Sequence, residues 1–233
     1  VLLSTALMVG MGLLLSTFRD FLIRDIISYN GSHHVKITNL PYEKLKNIEN
    51  NITIKTIAYE KGIGFAYFKE SKNSYKPYFY VVNGNDAYLE TLILKEGRLP
   101  KNSNEVVISE QILPNHNYKI GEKLNLELGY RYRFFDDYII KNNEEDFYME
   151  SDETPGETLK IEFNKEYTIV GIVEHSYHEP YSASGYQIYT KAENISGDEL
   201  LSAYITYKKV SKVYDKTDTL IKNLGIQDNN KDS

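Results

Sequence analysis

Four side chains suited to metal chemistry lie close together in the sequence: Glu174, His175, His178 and Glu179. Imidazole and carboxylate groups are common zinc ligands, and two histidines three positions apart on a helix could share one ion. This segment instead follows a predicted strand and precedes Pro180, and it lacks the HExxH pattern of zinc hydrolases. We therefore expect a solvated loop here and predict no metal site.

The residues that could support hydrolysis form no specific catalytic pattern either. The chain contains neither a cysteine nor a GxSxG motif, so a nucleophile cannot be recognised. Asp136 and Asp137 could in principle act as acid and base, but the chain has 33 acidic residues, and such pairs arise by chance. His33 and His34 are adjacent, which in a strand places them on opposite faces. The sequence predicts no catalytic residue, no cofactor-binding residue and no metal ligand, and the chain is not expected to be an enzyme.

The charge distribution argues against nucleic-acid binding. The formal net charge is -6, and lysine and arginine are scattered along the chain without forming a basic stretch. The absence of cysteine excludes a disulfide framework and suits the surface of a Gram-positive bacterium better than an oxidising periplasm.

The first 18 residues form an apolar run without a charged side chain. A run of about 18 residues is near the minimum for a membrane-spanning helix. A signal peptide would show small residues at a cleavage site, whereas Phe18, Arg19 and Asp20 follow here. The sequence predicts that residues 1–18 are the end of a first transmembrane helix, with a buried core helix as the alternative. Residues after about 18 are expected on the extracellular side of the cell membrane.

The next segment, residues 19–30, continues the helical pattern. Apolar side chains recur at helical spacing opposite charged ones; the apolar set is Phe18, Leu22, Ile26 and Tyr29, and the charged set is Arg19, Asp20, Arg24 and Asp25. Asn30 and Gly31 suit a left-handed cap at the end of a helix. The pattern predicts a stalk helix that continues straight out of the membrane.

The remaining chain alternates between strand and helix signals. Predicted strands cover residues 34–38, 54–59, 64–69, 78–82, 105–108, 124–128, 159–163, 167–173, 187–190 and 203–208, and predicted helices cover 41–48, 86–92 and 213–224. Residues 94–100 are predicted to form a loop. The fold class is therefore α+β, with mixed or antiparallel sheets and short helices behind the transmembrane and stalk helix. Residues 31–224 form the predicted extracellular domain, and residues 225–233 a polar tail or a linker to a following stalk.

Residues 130–158 interrupt this pattern and are predicted to be a variable insertion. An aromatic and basic stretch at 130–135 precedes an acidic one, which contains Glu144, Glu145, Asp146, Asp152 and Glu153. The aromatic stretch is either the core of a strand with a basic edge or an exposed surface for lipid headgroups or a hydrophobic peptide. We favour the core.

Two further residues have structural interpretations. Arg98, in a turn with Gly97 and Pro100, is expected to pair with a nearby carboxylate. Gly171, inside a predicted strand, is expected to mark a bulge or a close approach of two backbones.

Several runs in this order resemble the extracytoplasmic core domain of MacB/FtsX-type permeases of ABC transporters. After the apolar helix and stalk comes a Gly-X-His strand segment (residues 30–35, NGSHHV). It is followed by LKEGRLPKNSNEVVIS (94–109), KIGEKLNLEL (119–128) and YTIVGIVE (167–174). These resemble the family's GR-x-P element, its IG-x-x-L-x-L strand and its aromatic-x-V-x-G strand. The 130–158 region departs from the common pattern.

The resemblance implies a permease subunit that couples cytoplasmic ATP hydrolysis to export, extraction or mechanotransmission. Expected partners are a cytoplasmic ABC ATPase on a separate chain, a second permease copy or a homologous permease, and membrane lipid. The cargo would be a peptide antibiotic, a lipoprotein or a lipid. In agreement, the sequence contains no GxxxxGK[ST] phosphate loop. The alternative is a surface receptor or adhesion ectodomain on a single anchor, without transport.

Overall fold

The computed structural model describes residues 2–142, 146–151 and 155–226. The chain divides into two compact units, Val1–His33 and His34–Ser233. Its helices are α1 (Leu2–Asn30), α2 (Tyr42–Lys46), α3 (Asp86–Leu89) and α4 (Val213–Leu224). Its strands are β1 (Val35–Pro41), β2 (Ile54–Tyr67), β3 (Tyr78–Gly84), β4 (Leu94–Gly97), β5 (Glu105–Ser109), β6 (Lys123–Phe134), β7 (Ile139–Lys141), β8 (Glu157–Val173), β9 (Gly185–Lys191) and β10 (Leu200–Tyr207).

The first unit contains α1, an uninterrupted helix of 29 residues. It ends at Asn30, as predicted, and Gly31 follows in the left-handed region with a φ of 78°. The Gly31 amide donates a hydrogen bond to the carbonyl of Ile27 at 2.8 Å. Among the described residues, no helix combines the length and the apolar character needed to cross a membrane. The division of residues 1–30 into a membrane span and a stalk stays a prediction.

The second unit is built on one mixed sheet with the strand order β1-β10-β2-β3-β9-β5-β8-β6-β7, and β4 pairs with β8. The β3–β9 and β5–β8 pairs are parallel, and the other pairs are antiparallel. The described chain is therefore a mixed α+β fold with a large sheet and few short helices behind α1, which agrees with the predicted fold class.

The sheet closes on itself because β2 also pairs with β6, through Phe65 and Gly129. Strands β2, β3, β9, β5, β8 and β6 thus form a ring. Alternate residues of these strands point inwards and form a core cluster that includes Val81, Leu126 and Ile169. Leu124, Leu126 and Leu128 are buried and Asn125 and Glu127 are exposed, as the alternation predicts.

Strands β1 and β10 extend this sheet beyond the ring. Their Leu40 and Ile205 pack with Leu45 of α2 and with Leu220 and Leu224 of α4 in a second cluster. Because β1 and β10 are antiparallel neighbours, with Val35 opposite Ile205, the domain's first strand begins beside the end of its last strand.

Several predicted limits of strands and helices are wrong. Residues 94–97 form a strand, because the segment that Gly97 and Pro100 marked as a loop pairs with β8. The predicted break around Gly62 is a register shift within one continuous strand, β2. The predicted break at 164–166 is also absent, since Asn164 and Lys165 pair with β6 and keep β8 continuous. The helix predicted over 86–92 is shorter, ending at Leu89.

The region predicted as an insertion begins with regular structure, because β6 continues to Phe134 and pairs with β7. In the aromatic stretch, Arg131 is buried and Tyr130 partly buried, whereas Phe134 is exposed. The stretch is therefore part core and part surface. Four acidic residues of the predicted acidic run, Glu144, Glu145, Asp152 and Glu153, and the tail at 227–233 lie outside the described residues.

Candidate functional site

The candidate site is a cleft of about 580 Å³ over one face of the sheet, crossing β1, β10, β2, β3 and β9. Strand pairing places its side chains on a common face, since Ser202 lies opposite Glu60 and Tyr80 lies opposite Gln187. Small residues line part of the cleft: Gly62, Gly64, Ala183, Ser184, Gly185 and Ser202.

Aromatic rings from three separate segments form one wall of the cleft. His178 lies 4.5 Å from Tyr88 and 4.9 Å from Tyr204, and the rings of Tyr88 and Tyr204 are 5.9 Å apart, all between centroids. Tyr88 is positioned by α3, where the side chain of Asn85 accepts a hydrogen bond from the Tyr88 amide at 3.0 Å. The wall is therefore fixed by packing and by a helix cap.

Glu60 supplies a carboxylate to this part of the cleft and is only partly buried. Burial raises the pKa of the Glu60 carboxyl above its ordinary value, although hydrogen bonds from Ser202 and Tyr204 and the charge of Lys36 lower it. Burial also raises the pKa values of Tyr88 and Tyr204, and the charge of Glu60 adds to both increases. The tyrosine hydroxyls consequently stay protonated at neutral pH.

Three lysines line the same cleft, and each contacts another part of the domain. The Nζ atom of Lys61 forms an ion pair with Glu199. The Nζ atom of Lys36 lies 5.5 Å from the Tyr204 ring centroid, and that of Lys141 lies 3.3 Å from the Tyr130 centroid.

Two polar groups that line the cleft lack a hydrogen-bond partner among the described residues. Gln187 is 6% exposed, and its Nε2 donates to the carbonyl of His178 at 2.8 Å, which fixes the orientation of the amide. Its Oε1 atom, like the Oγ atom of Ser184, is buried and accepts no hydrogen bond. Buried polar atoms normally have partners, so these two atoms are exceptions within the described part of the chain.

The loop between β8 and β9, which contains the histidines singled out in the sequence, is not the solvated loop we expected. Glu179 is 1% exposed, and its Oε1 lies 3.2 Å from the Nζ atom of buried Lys76. Lys76 comes from the turn between β2 and β3, and the sequence offers no sign that this distant lysine reaches the loop. The pairing fixes the position of His178 at the cleft.

The other candidate residues lie apart from one another. His175 stacks on Tyr181 with centroids 4.2 Å apart, and Asp136 and Asp137 are exposed after β6. The Nδ1 atom of His34 accepts a hydrogen bond from the Tyr207 amide at 2.9 Å. Within the described ranges, no group of three or more histidine, cysteine, aspartate or glutamate side chains could hold a metal ion. The cleft offers carboxylate, ammonium, amide, hydroxyl and aromatic groups, which suit binding of a polar ligand.

Sequence reasoning missed the residues that form the cleft: Glu60, Tyr88, Gln187 and Tyr204. The one available signal was the 21 tyrosines of the chain, an unusual number. It could not locate the site, because the strands that meet there are far apart in the sequence.

The three longest runs that carry the family resemblance meet on strand β8. The run at 94–109 forms β4 and β5, the run at 119–128 begins β6, and the run at 167–174 is the end of β8 itself. Strands β4, β5 and β6 all pair with β8. The Gly121 amide donates to the carbonyl of Ile169 at 2.7 Å, which ties the turn before β6 to the same strand.

Two predicted features of these runs are confirmed at this junction. Arg98 forms two hydrogen bonds of 2.6 Å with the carboxylate of Glu105. Gly171 lies opposite Gly97, and a Cβ atom at Gly171 would lie 2.6 Å from the carbonyl oxygen of Arg98. Only glycine allows this approach of the two backbones.

Comparison of the fold with solved structures finds extracytoplasmic transporter domains. The chain is similar to the periplasmic region of MacB from Actinobacillus actinomycetemcomitans. This match has 14% identity and a TM-score of 0.44 and covers 82% of this chain and 78% of that one. The extracellular domain of the noncanonic ABC-type transporter YknZ from Gram-positive bacteria matches with 8% identity and a TM-score of 0.44, over 82% and 86% of the two chains.

A domain assigned to a permease protein from Porphyromonas gingivalis matches with 12% identity and a TM-score of 0.45, over 84% of this chain and 73% of that one. No protein-family model matches the sequence, and no curated protein sequence matches it.

Proposed function

We propose that the chain is part of the permease subunit of an ABC transporter, with its second unit as the extracellular domain. The observation that carries the proposal is the convergence of the three family-like runs on β8. Residues separated by more than 70 positions, such as Gly97 and Gly171, depend on each other sterically there. Three sequence runs that pack against one strand support a common domain fold better than three short runs that lie apart would.

The role of α1 in this proposal is mechanical. Residues 1–18 anchor the subunit in the cell membrane, and residues 19–30 form a stalk that leads to the extracellular domain. A continuous helix of 29 residues is stiff, so a displacement at one end moves the other. This property suits mechanotransmission between a cytoplasmic ATPase and an extracellular domain.

The neighbouring positions of β1 and β10 support insertion of the domain between two segments of a longer chain. Val35, four residues after Gly31, lies opposite Ile205 near the end of the last strand. A domain whose first and last strands are adjacent can be placed between two membrane segments without altering its core. Residues 225–233 would then lead to a following stalk.

The proposed subunit works with a cytoplasmic ABC ATPase and with a second permease copy or a homologous permease. It contacts membrane lipid through its anchor. Its extracellular domain couples ATP hydrolysis to export, extraction or mechanotransmission, with a peptide, a lipoprotein or a lipid as the affected molecule. The hydrolysis itself belongs to the partner chain.

Co-purification from the native membrane tests this function. The intact, tagged protein is extracted in mild detergent, and co-purifying chains are quantified by mass spectrometry. A surface protein on a single membrane anchor, tagged in the same way and expressed to the same level, is the control. We expect an ATPase with a phosphate-loop motif in stoichiometric amount with this chain and not with the control. Its reproducible absence from folded, abundant protein would favour a receptor or adhesion ectodomain on one anchor.

A further inference from the structure

One end of the cleft lies at a fork in the sheet, formed by residues 61–64 of β2 and by Leu200 of β10. Strand β2 pairs with β10 only as far as Glu60, opposite Ser202, and next meets β6 at Phe65. Beyond Ser202, β10 extends to Leu200 and pairs with β1 alone. Residues 61–64 therefore have β3 on one side and, among the described strands, no partner on the other.

The backbone groups of Gly62 point into this fork. Neighbouring residues of a strand direct their N–H and C=O groups to opposite sides. Tyr59 bonds on the β3 side, because its amide donates to Oδ1 of Asn85 at 3.0 Å and its carbonyl accepts from the Asn85 amide at 3.1 Å. Glu60 consequently bonds towards Ser202 of β10. Gly62, two residues further on, points to the same side, where none of the described strands pairs with it.

Leu200 presents a second unpaired edge from the opposite side of the fork. The carbonyl of Glu199 accepts a hydrogen bond of 2.9 Å from the amide of Tyr42, the residue after β1. Leu200 is the next residue, so its backbone groups face away from β1 and into the fork. Gly62 and Leu200 both line the cleft, and Leu200 is 53% exposed. Exposed backbone edges of this kind can pair with an added strand.

The charges around the fork favour an acidic ligand. Lys36, Lys61 and Lys141 line the cleft, and Glu60 is the one carboxylate among the lining residues. Glu199 forms an ion pair with Lys61, and Lys36 is the countercharge of Glu60. Lys141, on the edge strand β7, forms no ion pair with a described carboxylate. One ammonium group therefore remains for a carboxylate of the ligand.

We infer that the fork binds an extended, acidic peptide segment, which adds a strand at the backbone of Gly62 and Leu200 and places a carboxylate near Lys141. Hydrogen bonds to the main chain hold the segment, and the lysine selects its acidic side chain. The cleft volume of about 580 Å³ suits a segment of a few residues. This inference deepens the proposed function by naming a ligand of the extracellular domain, and it rests on that function for the access of extracellular peptides to the fork.

Binding is tested with the full chain in mild detergent by saturation-transfer NMR titration. The acidic probe is the blocked peptide acetyl-Thr-Val-Glu-Val-Thr-methylamide, and the basic probe carries lysine in place of glutamate. We expect the acidic probe to bind and the basic probe to have a Kd about tenfold higher, because a charged contact to Lys141 is replaced by repulsion. Both peptides have the same length and the same strand-forming residues.

Ester analogues of the acidic probe test strand addition itself. Two analogues each replace one amide N–H by an oxygen, one at the glutamate and one at the following valine. Neighbouring amides of a strand point to opposite sides, so at least one of the two replaced groups faces the fork. The corresponding analogue should have a Kd about fivefold higher, the effect of one lost hydrogen bond.

Hydrogen–deuterium exchange locates the bound peptide. Near saturation with the acidic probe, exchange at the Gly62 and Leu200 amides should slow about fivefold or more, because these amides gain acceptors. Exchange in residues 124–128, which form part of the ring, should not change.

Variants test the contribution of the lysine. Lys141→Met keeps the apolar part of the side chain and should reduce the difference between the two probes from about tenfold to about twofold. Lys55→Met removes an exposed lysine of β2 outside the cleft and should leave both Kd values unchanged. If the Lys141 variant does not fold, the two probes and the ester analogues on the unaltered chain still decide.

Absence of binding by the acidic probe at about 5 mM would overturn the inference. Equal Kd values for the acidic and basic probes, ester analogues that both bind as tightly as their parent, or unchanged exchange at Gly62 and Leu200 would do the same. Protection of these amides that rises with protein concentration in the absence of a probe would assign the fork to a second copy of the chain instead.

None of these measurements involves an ATPase, and the co-purification involves no peptide probe. Failure of the peptide site and failure of the transporter assignment are therefore distinguishable.

Discussion

The Nη1 atom of Arg131 lies 3.0 Å from Oε1 of Glu157, and both side chains are fully buried. The guanidinium also lies 4.3 Å from the ring centroid of Phe65 and donates to the carbonyl of Asp146 at 3.1 Å. Asn142 donates to the other carboxylate oxygen of Glu157. This buried pair links β6 to β8. Its hydrogen bonds also hold Asn142 and Asp146 in place.

Breaking this pair should destabilise the domain strongly. Arg131→Met leaves the carboxylate of Glu157 buried without its countercharge, so we expect the free energy of unfolding to fall by about 3–5 kcal/mol. The double variant Arg131→Met, Glu157→Leu removes both charges and should lose less than the single variant. Urea unfolding followed by circular dichroism measures both.

The exposed pair of Lys123 and Glu166 provides the control. Lys123→Met should cost less than about 1 kcal/mol, because surface ion pairs contribute little. Equal losses in the single and double Arg131 variants would show that the pair is not a coupled unit.

The close approach at Gly171 gives a second prediction. Gly171→Ala places a methyl group 2.6 Å from the carbonyl oxygen of Arg98, and two paired strands cannot separate without losing hydrogen bonds. We expect a loss of about 2–4 kcal/mol in thermal or urea unfolding. Gly197→Ala is the control, since its nearest contact would be an ordinary 3.5 Å to Glu43. A Gly171→Ala variant as stable as Gly197→Ala would contradict the described junction.

The ion pair of Arg98 with Glu105 predicts a pH dependence. Hydrogen bonds from Arg98, together with one from the Lys101 amide, lower the pKa of Glu105 to about 2. Because the folded pKa lies below the unfolded value of about 4.3, the pair stabilises the domain above that pH. This contribution is lost as the pH falls from about 4.5 towards 2.

The matching experiment compares the unaltered chain with Glu105→Gln over this pH range. The difference in unfolding free energy between them should be largest near neutral pH and should vanish near pH 2. It should also shrink in 1 M salt, since the Arg98 side chain is 44% exposed. A difference that does not change with pH would show that Glu105 acts through its shape and not its charge.

Lys76 should control the order of the loop that carries His178. Lys76→Met removes the buried countercharge of Glu179, and leaving that carboxylate unpaired costs about 3 kcal/mol or more. Hydrogen–deuterium exchange should increase most in residues 174–184. Lys69→Met, on an exposed lysine of the same connection, should leave exchange there unchanged. Unchanged protection in the Lys76 variant would contradict a holding role for the pair.

Local signals in the sequence predicted much of this fold. The helix at 213–224 has the predicted limits, and α1 ends at Asn30 before Gly31, as the Asn-Gly pair predicts. The alternation of leucines at 124–128 correctly marked the buried face of β6. Each of these features depends on neighbouring residues alone, which is why periodicity and capping rules find them.

The cleft and the two buried ion pairs could not be predicted in this way. Lys76 meets Glu179 and Arg131 meets Glu157 only because the sheet places distant segments side by side. Because charged residues are usually exposed, the sequence alone favours surface positions for all four of these side chains. Gly62 was similarly ambiguous, since a glycine within a strand marks either a bulge or a break.

The account depends above all on the second unit lying outside the cell, and the absence of cysteine makes this directly measurable. A single cysteine is introduced by Glu127→Cys at an exposed position of β6, and intact cells are treated with a membrane-impermeant maleimide. A cytoplasmic protein with one exposed cysteine reports any leakage. The account predicts full labelling of intact cells, with no increase after permeabilisation. Labelling that appears only after permeabilisation would contradict it.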